Sequence, residues 1–404
     1  MVELNAKTNK SNSASLLGFV KNQLKTNIKQ YTMFIALIVI GLIFTGLTSG
    51  TFLTSRNLSN LLLQTATIAV LACGMVFVIV GGHIDLSVGS VAGFTGAIAA
   101  VLQVKMGWGT VPTILVTMGV GLLVGIWQGY WIAYKEVPAF IVTLAGMLIF
   151  RGAVTGVTNG ATIAPMNDSF KAIGQSYIPR LFLQDAAFHD TTLIIGIVSI
   201  ILYVVFEMRK RKTREEYGFD ILPMNIQVAK MIMVSTLIGA FFMIMVLYMG
   251  IPYSIVLVIG LVFLYSYLSN KTTLGRHIYA LGGNKEAAKL SGINIKQRTM
   301  MIFVSMGILS SIAGIVFTAR LNSATASAGN LFELDAIAAC FIGGTSAMGG
   351  EGTVIGAIIG ALVMATINNG MSLMNVPTTY QFMVKGLILL LAVWIDITSR
   401  KKNA

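Results

Sequence analysis

The chain has 404 residues, 55% of them hydrophobic and 11% charged, with a formal net charge of +13. Soluble domains carry about 25% charged residues, so this composition excludes a set of soluble domains and predicts an all-α, polytopic membrane protein. The basic residues sit in short runs between apolar segments, where membrane topology asks for them, and this excludes nucleic acid as a partner.

Residues 1–30 are polar and lysine-rich, carry no cleavable signal pattern, and read as a cytoplasmic tail. Twelve apolar segments come next, at about 31–48, 60–80, 86–104, 111–134, 138–157, 191–207, 230–249, 252–268, 299–319, 334–349, 352–371 and 381–397. Most are long enough for a hydrocarbon core of about 30 Å. The tenth is short and ends in Gly343-Gly344, which makes it a candidate half-helix or re-entrant segment. A transmembrane domain over 31–397 would then leave 398–404 as a second cytoplasmic tail. With both termini inside, three quarters of the 28 Lys and Arg fall on the inner side, including those of 208–230 and 269–298. An odd number of crossings would put the basic ending SRKK on the wrong face. Forty-two glycines against seven prolines predict closely packed membrane helices. Cys73 and Cys340 lie within apolar runs and read as small core residues, and three scattered histidines make no metal site.

The most informative stretch is 77–100, FVIVGGHIDLSVGSVAGFTGAIAA. An apolar run is broken there by Gly81-Gly82-His83 and carries one carboxylate, Asp85. A charge at membrane depth costs about 2.5–3.5 kcal/mol on insertion scales. A broken helix survives at that depth only where its loose backbone faces protein or a water-filled path, which points to transport. Asp85 and Ser87 are therefore candidate pathway residues. The structural alternative is that Asp85 caps the helix beginning near Ser87. Residues 340–362, CFIGGTSAMGGEGTVIGAIIGAL, echo this pattern, with Gly343-Gly344 in the place of Gly81-Gly82. Either the chain holds an inverted repeat of glycine-broken helices, or two glycine-rich segments have converged on one packing mode. Arg151, Asp335 and Lys385 are further charges at membrane depth, for which pairing inside the bundle is the favoured reading over a proton relay.

Asp168, Asp185 and Asp190 share a loop with Lys171 and Arg180 and read as a solvated face. The inner loop 269–298 reads SNKTTLGRHIYALGGNKEAAKLSGINIKQR. Gly282-Gly283 permits a tight turn there, Asn284 can cap a short helix, Glu286 suits its first turn, Ala287 propagates it, and Gly292 can end it. A short capped helix at a membrane surface is a docking element; the alternative is a solvated connector. No phosphate-binding G-x-x-x-x-G-K-[ST] loop occurs, so any ATPase must be a separate polypeptide. No nucleophile with a paired base is present either, so no enzyme activity is expected.

GGHIDLSVGS at 81–90, FIVTLAGMLIFRG at 140–152, LGRHIYALGGNKEAAKLSGIN at 274–294, ELDAIAACFIGGTSAMGGEGTVIGA at 333–357 and NNGMSL at 368–373 resemble the sugar-type permeases of ATP-binding-cassette importers. The ending NVPTTYQFMVKGLILLLAVWID is similar to the xylose-type or multiple-sugar branch. His83 departs from the pattern, standing where a small or acidic residue is usual. The resemblance covers nearly the whole chain. It implies a ten-helix core with a two-helix insertion at about 170–249, and a second permease copy forming a homodimer. It also implies an ATPase subunit with two cassettes at the inner face, docked on the loop 269–298, and an extracytoplasmic sugar-binding protein at the outer face. On this view ATP is bound by the partner, the permease itself holds no cofactor, and Asn368 and Asn369 of NNGMSL join the candidate pathway residues. The implied location is the cytoplasmic (inner) membrane of a prokaryote. The runner-up is a self-contained, ion-coupled sugar transporter with Asp85 or Asp335 as the coupling site.

Overall fold

The structure, a computed structural model, describes residues 28–183, 187–219 and 221–401. The N-terminal tail up to residue 27 and Asp185 lie outside them. The described residues form fifteen α-helices and two isolated β-bridges, Ile163–Ala324 and Tyr177–Pro252. In chain order the helices are α1 (Ile28–Leu47), α2 (Ser55–Val80), α3 (Val88–Ala100, continued by a π-helical turn, Val101–Lys105), α4 (Thr110–Ala133) and α5 (Ala139–Thr158). Next come α6 (Asp168–Gln175), α7 (Asp190–Glu216), α8 (Met224–Val246), α9 (Tyr253–Lys271), α10 (Thr273–Gly283) and α11 (Lys285–Leu290). The last four are α12 (Ile295–Leu321), α13 (Phe332–Ile342), α14 (Val354–Leu373) and α15 (Thr378–Lys401).

Each of the twelve expected segments is helical, but among the described residues ten helices are long and apolar enough to cross a membrane. The described apolar part of α1, Met33–Leu47, is shorter. The tenth segment, α13, has 11 residues and spans about 16 Å, half a hydrocarbon core. It is a half-helix.

Burial tracks the sequence. From Leu61 to Val80 α2 carries no charge, from Ile68 onward it is apolar all round, and 94% of its most apolar stretch is buried. Such a helix belongs in the centre. It is surrounded by α9, α12, α13 and α14, while α12 also packs on α3 and α4. By contrast α7 and α8 pack mainly on each other, and only 17% and 11% of their apolar stretches are buried. This hairpin stands at the edge of the bundle with its apolar sides outward.

The helix ends carrying Lys135, Arg211, Lys271, Lys285 and Lys296 gather at one end of the bundle, hereafter the basic end. Lys296 pairs there with Glu136 at 3.2 Å. At this end α10, α11, α12 and α14 start on side-chain caps: Thr272 accepts from Gly275, Asn284 from Ala287, Asn294 from Gln297 and Thr353 from Gly356. Each cap satisfies an N–H that the first helical turn leaves without a partner.

The echo between 77–100 and 340–362 extends to individual hydrogen bonds. At the end of α2, Gly82 N donates to Ile79 O at 2.9 Å and His83 N to Val78 O at 3.0 Å. At the end of α13, Gly344 N donates to Phe341 O at 3.0 Å and Thr345 N to Cys340 O at 2.9 Å. Gly82 and Gly344 have φ of 78° and 82°, the left-handed geometry of a Schellman cap that glycine adopts without strain. The two chain reversals are one motif used twice.

The chain takes a different course around each reversal. After Gly82 an extended stretch leads away from the basic end into α3, whose first turn at Gly89 lies against Gly329 and Glu333. Before α13, residues 322–331 come down from the opposite end, and α13 completes the path to the basic end. Non-helical chain and helix thus follow in opposite order in the two segments: a short extended stretch precedes α3, and a run of turns precedes α13. The start of α3 lies beside the start of the half-helix α13, about 16 Å from the basic end.

Candidate functional site

The start of α3 is built around Asp85, which is 1% exposed. Its Oδ1 accepts from the backbone N–H of Ser87 at 2.8 Å and from the Ser87 hydroxyl at 2.6 Å. Gln128 on α4 donates to that hydroxyl at 2.7 Å, and Thr143 on α5 lies 3.3 Å from the carbonyl of Ile84. The carboxylate thus holds the entry to α3, as a helix-start acceptor would, but from two residues upstream. Ser87 is the cap residue by backbone position, and its side chain makes no capping bond. That hydroxyl is turned instead to Asp85 and Gln128.

Beside this entry stands Glu333, 4% exposed, in the first turn of α13. A Cβ added to Gly89 would overlap its carboxylate. The starts of α3 and α13, the positive ends of their dipoles, therefore each have a carboxylate close by. Oε2 of Glu333 has no partner among the described residues. Arg151 on α5 donates to Ala328 O at 2.8 Å, bracing the run of turns before α13, and among the described residues it forms no ion pair with a carboxylate.

The other expected buried charges do pair. Lys385 on α15 meets Asp335 on α13 at 2.8 Å, and Asn368 on α14 donates to the same carboxylate oxygen at 3.3 Å. Asn369 faces elsewhere: its amide exchanges two hydrogen bonds with the amide of Asn57 on α2, at 2.9 and 3.1 Å. The four pathway candidates are thus not one cluster. Asp85 and Ser87 open α3, Asn368 braces the Asp335–Lys385 pair, and Asn369 clasps α14 to α2.

At the basic end the two reversals meet the loop 269–298. Gly350 N donates to Val80 O at 2.9 Å, tying the loop after α13 to the last residue of α2. Gly282 packs on the same carbonyl, and the Tyr279 hydroxyl donates to Gly352 O at 2.7 Å. The expected tight turn at Gly282-Gly283 is corrected here: these residues close α10 in helical conformation. The missing side chain at Gly282 serves close approach rather than backbone reversal, since a Cβ there would overlap Val80 O. Beyond it, α11 forms as its sequence predicts, with Asn284 Oδ1 accepting from Ala287 N at 2.9 Å, Glu286 in the first turn and Gly292 at φ 80° after its end. Only Ala288 of α11 is buried, while Leu290 is 89% exposed. Met348, in the loop between Gly344 and Gly350, is 77% exposed.

Three residues of this region escaped sequence reasoning. Glu333 lies just outside the apolar segment drawn at 334–349, although its spacing to Asp335 was a signal. Gln128 was a lone amide inside an apolar span, between Gly125 and Gly129. For Asp190 the composition of its loop predicts a solvated face. The residue is 4% exposed and accepts from the N–H groups of Phe182, Leu183 and Thr191 at 2.6, 2.9 and 2.7 Å. Asp168 does form the exposed pair with Lys171 that its loop position predicts, and that cation lowers its carboxyl pKa.

A family model described as the permease component of the branched-chain amino acid transport system matches residues 57–393. The xylose transport system permease protein of Escherichia coli (strain K12) is 44% identical over 377 residues, 93% of this chain and 94% of the relative. Its namesake from Haemophilus influenzae is 45% identical over 376 residues, 93% of this chain and 98% of the relative. The ribose import permease protein of E. coli K12 is 34% identical over 370 residues, 91% of this chain and 94% of the relative. No solved structure matches the chain. The chain belongs to the branched-chain amino acid transport system / permease component family, and is related over nine-tenths of its length to xylose and ribose permeases.

Proposed function

We propose that the chain is the membrane-spanning permease subunit of an ATP-binding-cassette importer, moving a monosaccharide, xylose or a related pentose or hexose, across the inner membrane of a prokaryote. The observation that carries this reading is the 44% identity to xylose permeases over 93% of the chain. A separate ATPase with two cassettes supplies energy, a sugar-binding protein delivers the substrate to the outer face, and two permease copies form the path. Both termini and the basic end are cytoplasmic, in keeping with the positive-inside rule.

The geometry supports a route for the energy. The surface formed by α11, with Leu290 and Met348 standing out from it, faces the ATPase. A displacement of α10 is passed through Gly282 to Val80, and through Val80 to Gly350. The ends of both broken helices then move together, and with them the starts of α3 and α13, where Asp85, Ser87 and Asn368 stand near the path. A neutral polyol needs few charges on its way, and charges held in place by Ser87, Gln128 and Lys385 do not repel it.

ATP-dependent uptake of a sugar panel by vesicles holding permease, ATPase and binding protein tests the proposal. Xylose accumulation that requires ATP is expected. Accumulation by the permease alone under an ion gradient would establish the ion-coupled alternative instead. Uptake of leucine or valine in place of any sugar would sink the substrate assignment.

A further inference from the structure

The hairpin α7–α8 ends at the basic end in a cavity of about 310 Å³. Its floor is Glu207 and Gln227, both buried, joined by a hydrogen bond of 3.2 Å. Lys230 pairs with Glu207, and Arg211 donates to the carbonyl of Leu222. Lys210 and Arg214 stand on the rim. Four cations and one carboxylate line the cavity, an excess of +3. Asp220 lies outside the described residues, and its charge would still leave cations in excess. The single lining carboxylate is engaged by Lys230, so the attraction of the remaining three cations is directed into the cavity.

A basic run at an inner membrane boundary is ordinary. A walled cavity with a fixed floor is more than that, and its location says what enters it. The hairpin is apolar and outward-facing along its length: Leu202, Phe206, Ile232 and Leu237 are all more than half exposed. The cavity therefore opens where apolar flanks meet basic residues, the level of lipid headgroups. Ile221 in its wall gives an apolar contact beside the cations. We propose that this cavity binds the phosphodiester headgroup of an anionic phospholipid, with Lys210, Arg211 and Arg214 on the phosphate and the acyl chains along α7 and α8. Basic pockets between membrane helices recognise such headgroups by charge and bidentate hydrogen bonding.

The test is native mass spectrometry of the purified full-length chain. It is titrated with phosphatidylglycerol or with phosphatidylcholine of the same acyl chains, and inorganic phosphate serves as competitor. Phosphatidylglycerol should be retained in preference. The double variant Lys210→Gln/Arg214→Gln should lose on the order of tenfold of that retention, from the attraction each cation contributes. Lys212→Gln, on the same helix but outside the cavity wall, should keep it. Equal retention of both lipids, or full retention by the double variant, would overturn the proposal. Displacement by low-millimolar phosphate would overturn it too, by making a soluble anion the ligand.

Discussion

Gly282 closes α10 against the carbonyl oxygen of Val80 with no room for a side-chain atom between them. Gly350 donates to that same oxygen at 2.9 Å, so one carbonyl joins the ends of α2, α10 and the loop after α13. Gly282→Ala must push α10 away from α2. Overpacking of this kind costs about 1–3 kcal/mol. Sugar-stimulated ATP hydrolysis in the assembled transporter should fall at least about tenfold, while membrane insertion is kept. Gly283→Ala is the control: a Cβ there meets nothing within 4 Å, and stimulation should be unchanged. Equal stimulation in both variants would remove the junction from the energy route.

Asp85 has two partners, both on Ser87, and both bonds end on the same Oδ1. Asp85→Asn keeps an oxygen that can accept them. Asp85→Ala removes it and leaves a buried N–H and hydroxyl unsatisfied, at about 1–3 kcal/mol for each group. Uptake should fall more than about tenfold in the Ala variant and less than about threefold in the Asn variant. An Asn variant as inactive as Ala, at normal membrane levels, would show that the charge itself is needed.

The elements read well from sequence where one local force decides them. Asn284 caps α11 because its side chain competes successfully for the Ala287 N–H, and both partners lie within four residues. The spans read well because apolar length is a property of the chain alone. The Gly-Gly pairs at 81 and 343 were visible as breaks, but glycine at 282 looked the same in sequence and does a different task. Its reason is Val80, about two hundred positions away. Asn368 and Asn369 are adjacent in NNGMSL, yet one supports an ion pair with α15 and the other an amide pair with α2. Neighbours on a helix point about 100° apart, and no local signal says which partner helix each will meet.

The Asp335–Lys385 pair is buried on both sides, with side chains 4% and 12% exposed. Lys385→Met removes one charge and leaves the other without a counter-ion, which costs about 3–5 kcal/mol in such pairs. Replacing both by apolar residues of similar size is often neutral. Lys385→Met should therefore lower the thermal midpoint of the detergent-purified chain strongly, and Asp335→Leu/Lys385→Met should recover most of the loss. If the double variant is stable but inactive in uptake, the pair has a part in transport beyond holding α13 to α15. If the single variant is as stable as the parent, the pair carries no structural weight.

Leu290 leaves α11 almost fully exposed, and among the described residues nothing covers this apolar side chain on its six-residue helix. Isolated exposed leucines are common. This one stands on the surface that also shows Glu286 and Ala287, next to the glycine junction, where the proposed ATPase would fit. Interface energy concentrates in a few well-packed side chains, each costing about 2 kcal/mol or more when truncated. Leu290→Asp, Glu286→Lys or Ala287→Trp should each release the ATPase on purification and abolish sugar-stimulated hydrolysis. Binding of the sugar-loaded binding protein at the opposite face should change far less. Reciprocity of coupled affinities allows some change there, and a few-fold shift would agree with it. The same surface supplies a topology check. Cys73 and Cys340 are buried, so a cysteine placed at Lys285 would be the accessible thiol among the described residues. An impermeant maleimide should miss it in intact cells and label it in inverted vesicles. Labelling from outside would put α11 on the wrong face for an ATPase, and normal ATPase assembly in all three surface variants would move the docking site elsewhere.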